Sequence, residues 1–214
     1  HHHTGLDRDV APTPGGAVMI TIPLNAPIVA HLKDIVPLQY HAQSWIGGSA
    51  ATNWGQNGDV DVWVCVPQWP DIDTLGAMIA PLGHTPHLGE TEHYIDTLGS
   101  VMLYSYDGLH ILATRGTIQD VVAGYDISCH AAAINLITGQ MHRHPQYTPL
   151  VRPLDYVSTR KTLTRLLKFA ARYNDQTIWQ DPTCQKLAIA AFRLPSVTQA
   201  EATMVKLLRL PEGI

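Results

Sequence analysis

Between residues 59 and 66 four valines (Val60, Val62, Val64 and Val66) alternate with Asp59, Asp61, Trp63 and Cys65. A β-strand sends successive side chains to opposite faces, so this run can only sit with the valines in a core and the other four residues on the reverse side. Both carboxylates then leave the same face at the N-terminal end of the strand, their Cβ atoms about 7 Å apart. Two acids in that relation can converge on one divalent cation or share two. Mg²⁺ favours such oxygen ligands and keeps waters and substrate phosphates in its remaining positions. An isolated Asp-x-Asp is also what two surface acids beside a turn look like, so the pair needs support from its surroundings.

That support lies ten to twelve residues upstream, in Ile46-Gly47-Gly48-Ser49-Ala50. Two glycines let the backbone approach a phosphate closely, and Ser49 offers a hydroxyl at the start of a short helix, whose first turn favours an anion. The order is specific: strand, Gly-Gly-Ser, short helix, turn, then Asp-x-Asp opening a strand. With Gly47, Gly48, Ser49, Asp59 and Asp61 in that order, the chain resembles the nucleotidyltransferase superfamily, which includes DNA polymerase β and the poly(A) polymerases. The resemblance covers roughly residues 26–140. It implies an α+β fold, a mixed sheet with helices on one face, and Mg²⁺ or Mn²⁺ as cofactor. It also implies a nucleoside triphosphate as donor, whose monophosphate passes to a hydroxyl with release of pyrophosphate. The acceptor (small molecule, protein or RNA end) is left open.

The resemblance also implies a third carboxylate from a later strand. The expected strand, 109–114, carries His110 where that acid is sought. Asp107 belongs by composition to the Asp107-Gly108 hairpin turn. Asp126, in Gly124-Tyr125-Asp126-Ile127, opens the next apolar run and is the stronger substitute as catalytic residue and metal ligand. Its other reading is a helix-to-strand turn. A Lys or Arg from the following helical region is implied as a triphosphate holder, which points to Arg160 and Lys161. The stripe Lys161, Arg165, Lys168 and Arg172 has its commoner reading as a solvated helix face.

The remaining patterns set the organisation. Residues 1–18, with His1-His2-His3 and a Pro/Gly-rich stretch, read as a tag remnant and linker. Residues 19–150 make the β-rich core and 151–214 a helical region. In 26–41 an apolar stripe of Ile28, Leu32, Ile35 and Val36 predicts a helix that Pro37 interrupts. Helices are further expected at 71–82, capped by Asp71 or Asp73, and at 118–123, from Ser158 onward, 182–192 and 196–208. Hairpins are expected at 100–114 and from Ile127 past Thr138-Gly139.

A charged fraction of 15% beside 45% hydrophobic residues argues for a packed body rather than disorder. No apolar run reaches the ~20 residues of a membrane span. Cys65, Cys129 and Cys184 are too few and scattered for a disulfide scaffold, so reduced thiols in the cytoplasm are the simplest reading. A net charge of −4 does not suit coating a long nucleic acid. His142 and His144 stand at strand spacing without an acid or Cys to complete a metal site. Trp45, Trp54 and Trp63 lie near the proposed site, with core packing the leading role for at least two.

Two other functions fit parts of the pattern. Nucleotide-sugar glycosyltransferases also use Asp-x-Asp, but there an apolar strand leads into the motif, whereas here it follows. A non-catalytic nucleotidyltransferase-like module, binding a nucleotide or a protein, draws support from His110 standing where an acid is expected.

Overall fold

Helix α1 (Pro27–Ile35) opens on a proline and buries Val29, Leu32 and Ile35. Val36, forced toward extended geometry by Pro37 behind it, ends the helix at ψ 124°. A 3₁₀ segment (Leu38–Gln43) then leads into β1 (Ser44–Gly47). The computed structural model describes residues 21–54, 59–84, 100–154 and 159–192; the side chains of 159–161 and 191–192 lie outside that set. The expected leader, the turn at 55–58 and the helix at 196–208 also lie outside it.

Next come α2 (Ser49–Thr52), a single turn, then β2 (Val60–Cys65) and α3 (Trp69–Ile79). Helix α3 starts earlier than Asp71 or Asp73 would have it. Gln68 precedes its first residue, and Pro70, in the first turn, needs no amide donor there. The hairpin of β3 (Ser100–Tyr106) and β4 (Leu109–Thr114) turns through Asp107 and Gly108, both at positive φ (49° and 74°), as a tight two-residue hairpin loop requires. Helix α4 (Ile118–Ala123) is fixed by a reciprocal cap: Thr117 accepts from the Asp120 amide and the Asp120 side chain accepts from the Thr117 amide.

The apolar run from Ile127 does not become a strand at once. Ile127 bridges to Pro153, and Ser128 Oγ donates to Leu150 O and accepts from Arg152 N, so the chain folds into a 3₁₀ turn (Ser128–His130). Strand β5 is therefore Ala132–Asn135, paired with β6 (Met141–Arg143). Helices α5 (Thr159–Arg172) and α6 (Pro182–Phe192) follow.

Among the described residues six strands form one mixed sheet in the order β3-β4-β2-β1-β5-β6, in which only β2 and β4 run parallel. This is the α+β architecture with a mixed sheet expected from the sequence. Val60, Val62 and Val64 join Ile46, Leu109, Ile111 and the buried residues of α1, α2 and α3 in the main core. Trp63 faces the reverse side, under α4, with Met102, Leu112, Ile118 and Val121. Each fully buried aliphatic side chain contributes about 1.5–3 kcal/mol of transfer free energy. A one-residue slip of β2 would expose three of them and bury Asp61, so the register is strongly specified. No described helix is long and apolar enough to cross a membrane.

A further cluster joins α5 and α6 to the 127–130 segment through Ile127, Cys129, Val151, Leu166, Phe169, Ile178 and Cys184. Burial pushes the Cys129 thiol up to about 12, which makes it packing material rather than a nucleophile. His130 is enclosed here, 2.8 Å from the Tyr173 hydroxyl and edge-on to Phe169. Burial, followed by the positive charges of Arg165, Arg172 and Lys168, pushes its imidazole down to about 3.

An unfolded histidine titrates near 6.5, so below that pH the unfolded chain takes up a proton that the folded chain refuses. Stability therefore falls as pH falls from about 6.5 toward 3. The melting temperature of the wild type is expected to drop more steeply between pH 7 and 5 than that of His130→Gln, which keeps a polar group near Tyr173 without a titrating one. Parallel pH slopes for the two proteins would contradict this.

Candidate functional site

Three neighbouring strands deliver the site. In the ladder Gly47 of β1 lies opposite Asp61 of β2, and Asp61 lies beside His110 of β4. Because β2 and β4 are parallel, both residues sit near the N-terminal ends of their strands, on the same face. Helix α4 covers that face at the level of Trp63, two residues further along β2. Asp61 and His110 stay partly accessible, with side chains 22% and 26% exposed, and Asp59 is exposed just before the strand. The contact between the two strands is direct: His110 Nδ1 stands 3.0 Å from Asp61 Oδ1.

Asp59 and Asp61 thus occupy the strand mouth that the alternating pattern predicts. In kind they suit a divalent cation: two hydrated carboxylates, one at a strand end and one just before it, with the remaining positions left to substrate phosphates. The donor that β4 brings beside them is an imidazole nitrogen instead of a third carboxylate. Among the described residues no group of three or more His, Cys, Asp and Glu side chains is assembled for a metal. A cation would therefore need ligands from the substrate.

The glycine turn is more constrained than its sequence suggests. Gly47 is buried, and a Cβ on it would run into the Tyr125 hydroxyl and stand 2.9 Å from Trp63 Cδ1. Trp63 Nε1 donates to that same hydroxyl over 3.1 Å. The space that glycine leaves here is filled by a phenol. Gly48 adopts φ 66° and ψ −143°, a conformation that favours glycine, and its amide donates to Ala132 O at 3.0 Å. With that N–H engaged, the partly exposed Ser49 hydroxyl is a group this turn can still offer an anion.

Asp126 lies off the sheet, 4% exposed, between the core and α5. Thr162 Oγ1 donates to its Oδ2 at 3.0 Å, and Arg165 Nη1 stands 2.8 Å from its Oδ1, an ion pair without hydrogen-bond alignment. Both oxygens already face α5. Asp126→Asn keeps an acceptor for Thr162 but turns an amide NH2 toward the Arg165 guanidinium at a position where the carboxylate is 5% exposed, so we expect a stability loss of about 1–3 kcal/mol. Metal-dependent nucleotide affinity is expected to stay unchanged in a titration of that variant. A lost affinity would place Asp126 in the metal site.

Arg160 and Lys161 fall in the first turn of α5, but their side chains lie outside the described residues. In the same basic stripe Lys168 and Arg172 rest over the Phe169 ring, at 5.6 and 5.5 Å. His144 Nδ1 accepts from the Gln146 amide, a local turn contact. A shallow depression of about 290 Å³, lined in part by Trp45, Cys65, Arg115 and Ile118, sits at the far end of β2 from the carboxylates.

No protein-family model matches the chain. No curated protein matches it by sequence. Among solved structures, it is similar to a tRNA-processing enzyme in one apo form at 16% identity and a TM-score of 0.49, covering 91% of this chain and 59% of the other. A second apo form gives 15% identity and 0.47 over 77% of this chain and 50% of that one. A CCA-adding enzyme gives 13% identity and 0.36, covering 77% and 46%. The chain spans about half the length of these structures.

Proposed function

We propose that this chain is a metal-dependent nucleotidyltransferase that moves a nucleoside monophosphate from a triphosphate to a hydroxyl acceptor. The observation that carries the reading is the alignment of the Gly47-Gly48-Ser49 turn against the Asp59/Asp61 strand mouth, in ladder register across β1 and β2. An Mg²⁺ or Mn²⁺ ion, when bound, would offset the charge of the triphosphate and polarise the α-phosphorus.

The chain's own groups would do the rest. Asp59 and Asp61 supply carboxylate ligands, and Ser49 donates to a phosphate oxygen. Arg160 and Lys161 are proposed to hold the β- and γ-phosphates. In the reaction the acceptor oxygen bonds to the α-phosphorus, the bond from that phosphorus to the bridging oxygen breaks, and pyrophosphate leaves with the electron pair. The hydroxyl proton passes to solvent or to a nearby base. Asp126, with both oxygens turned to α5, is assigned to anchoring that helix.

One observation favours a second reading, a nucleotide-binding module without turnover: the position beside Asp61 on β4 holds an imidazole, and Asp126 is engaged elsewhere. Pyrophosphate release separates the two. The full chain is incubated with each nucleoside triphosphate and Mg²⁺ or Mn²⁺, in the presence of RNA, protein or small-molecule acceptor fractions. Release that stops on chelating the metal supports the enzyme. Tight nucleotide binding without release under all acceptors supports the module.

A further inference from the structure

We propose that Tyr125 is a triphosphate-binding residue, its hydroxyl donating to a phosphate oxygen seated over the Gly47-Gly48 turn. This rests on the reading of that turn and Asp61 as the nucleotide site and deepens it. The ladder sets Gly47 of β1 directly opposite Asp61 of β2. Opposed residues of antiparallel strands share a face and stand about 4.5–5.5 Å apart at Cα. A side chain on Gly47 would therefore project beside the carboxylate, and the Tyr125 hydroxyl occupies that place instead. The same oxygen lies 3.8 Å from where a Cβ on Gly48 would stand, so the phenol reaches over both glycines.

The chain holds the phenol there from two sides. Tyr125 follows α4 at once, its amide donating to Val122 O at 3.3 Å. The carboxylate of the next residue, Asp126, is gripped by Thr162 and Arg165 of α5. Trp63 Nε1 then donates to the phenolic oxygen over 3.1 Å. An indole N–H can only donate, so toward Trp63 the phenol is the acceptor. A rotation about its C–O bond turns the O–H toward a phosphate.

The surroundings favour that partner. The Gly48 amide, which could otherwise serve an anion, donates to Ala132 O at 3.0 Å. Tyr125 is partly exposed, so a ligand can reach it. A cation on Asp61 would hold its ligands ~2.1 Å away, which puts its phosphate oxygens within about 4 Å of the carboxylate, in the span between Asp61 and the phenol. Hydrogen bonds to such charged oxygens are stronger than those between neutral groups.

Inorganic triphosphate with Mn²⁺ is the probe, because it carries the phosphate chain without base or ribose. Tyr125→Phe keeps the ring and is expected to weaken binding of this probe, and of a nucleoside triphosphate, by about 10-fold or more. Trp63→Phe removes the same indole–phenol hydrogen bond but keeps the phenol, and is expected to retain the wild-type affinity. Losses of equal size in the two variants would make Tyr125 a packing residue and overturn the inference, as would a loss confined to the nucleoside triphosphate. An unchanged affinity in Tyr125→Phe, with binding still lost in Asp61→Ala, would overturn it and leave the nucleotide site standing. No Asp61-dependent binding at all would overturn both.

Discussion

Asp61→Ala is expected to abolish metal-dependent nucleotide binding and to reduce turnover on the order of 10³-fold or more, with little change in stability. A 10³-fold loss corresponds to about 4 kcal/mol of transition-state stabilisation, the scale expected when a ligand of an essential cation is removed. The stability side is small for a separate reason. Asp61 lies at a strand end, 22% exposed, and its contact with His110, itself 26% exposed, is of the partly hydrated kind worth roughly 0–1 kcal/mol. The valines on the other face of β2, which hold the strand in the core, are untouched. Thermal melting and a nucleotide titration on the same preparation check both halves. A variant that loses its fold together with its binding would show Asp61 to be a structural residue, and an unchanged affinity would remove it from the site.

Gly47→Ala carries the second large effect, and it acts on stability. The added methyl group would meet the Tyr125 hydroxyl and stand 2.9 Å from the indole of Trp63, which is 3% exposed and packed under α4. Gly47 is bonded in the middle of the sheet, between Asp61 of β2 and Ala133 of β5, so the backbone cannot retreat cheaply. Overpacking of this kind costs about 1–3 kcal/mol, several degrees of melting temperature for a chain of this size. Tyr125→Phe in the same background removes the colliding oxygen. A double-mutant cycle is therefore expected to show favourable coupling of about 1 kcal/mol between the two changes. Strict additivity would mean that the methyl group is accommodated some other way.

Those two residues also show where sequence reading succeeds and where it stops. The alternation around Asp61 fixes a strand, its buried face and the side on which the acids emerge, because period-two patterning is local. The turn at Asp107-Gly108, the break before Pro37 and the helix at 118–123 are legible for the same reason: each is governed by dihedral or capping chemistry within a few residues. Helix α3 began earlier than its acids suggested because Pro70 is itself a helix-start residue.

Contacts between distant segments leave no such trace. That His110 would touch Asp61, 49 positions away, depends on β4 pairing in parallel with β2. Its identity as the residue standing where an acid was sought was the one local hint. Tyr125 filling the space beside Gly47 could not be foreseen either, since a Gly-Gly turn reads identically whether its gap admits a phosphate or a phenol. Asp126 looked like the opening of a strand because Ile127 and its neighbours are apolar. The hydrogen bonds of Ser128 to the 150–152 segment fold that run into a 3₁₀ turn first, and the partners of Asp126, Thr162 and Arg165, come from a distant helix.

Nucleotidyl transfer by this chain is tested by following the phosphates of the donor. Parallel reactions contain the same nucleoside triphosphate labelled at either the α- or the γ-phosphate, with Mn²⁺ or Mg²⁺ and the acceptor fraction that supports pyrophosphate release. α-Label is expected on the acceptor and γ-label in pyrophosphate, with neither in Asp61→Ala. Label from the γ-phosphate on the acceptor would contradict this, and so would α-label transfer that survives the loss of Asp61.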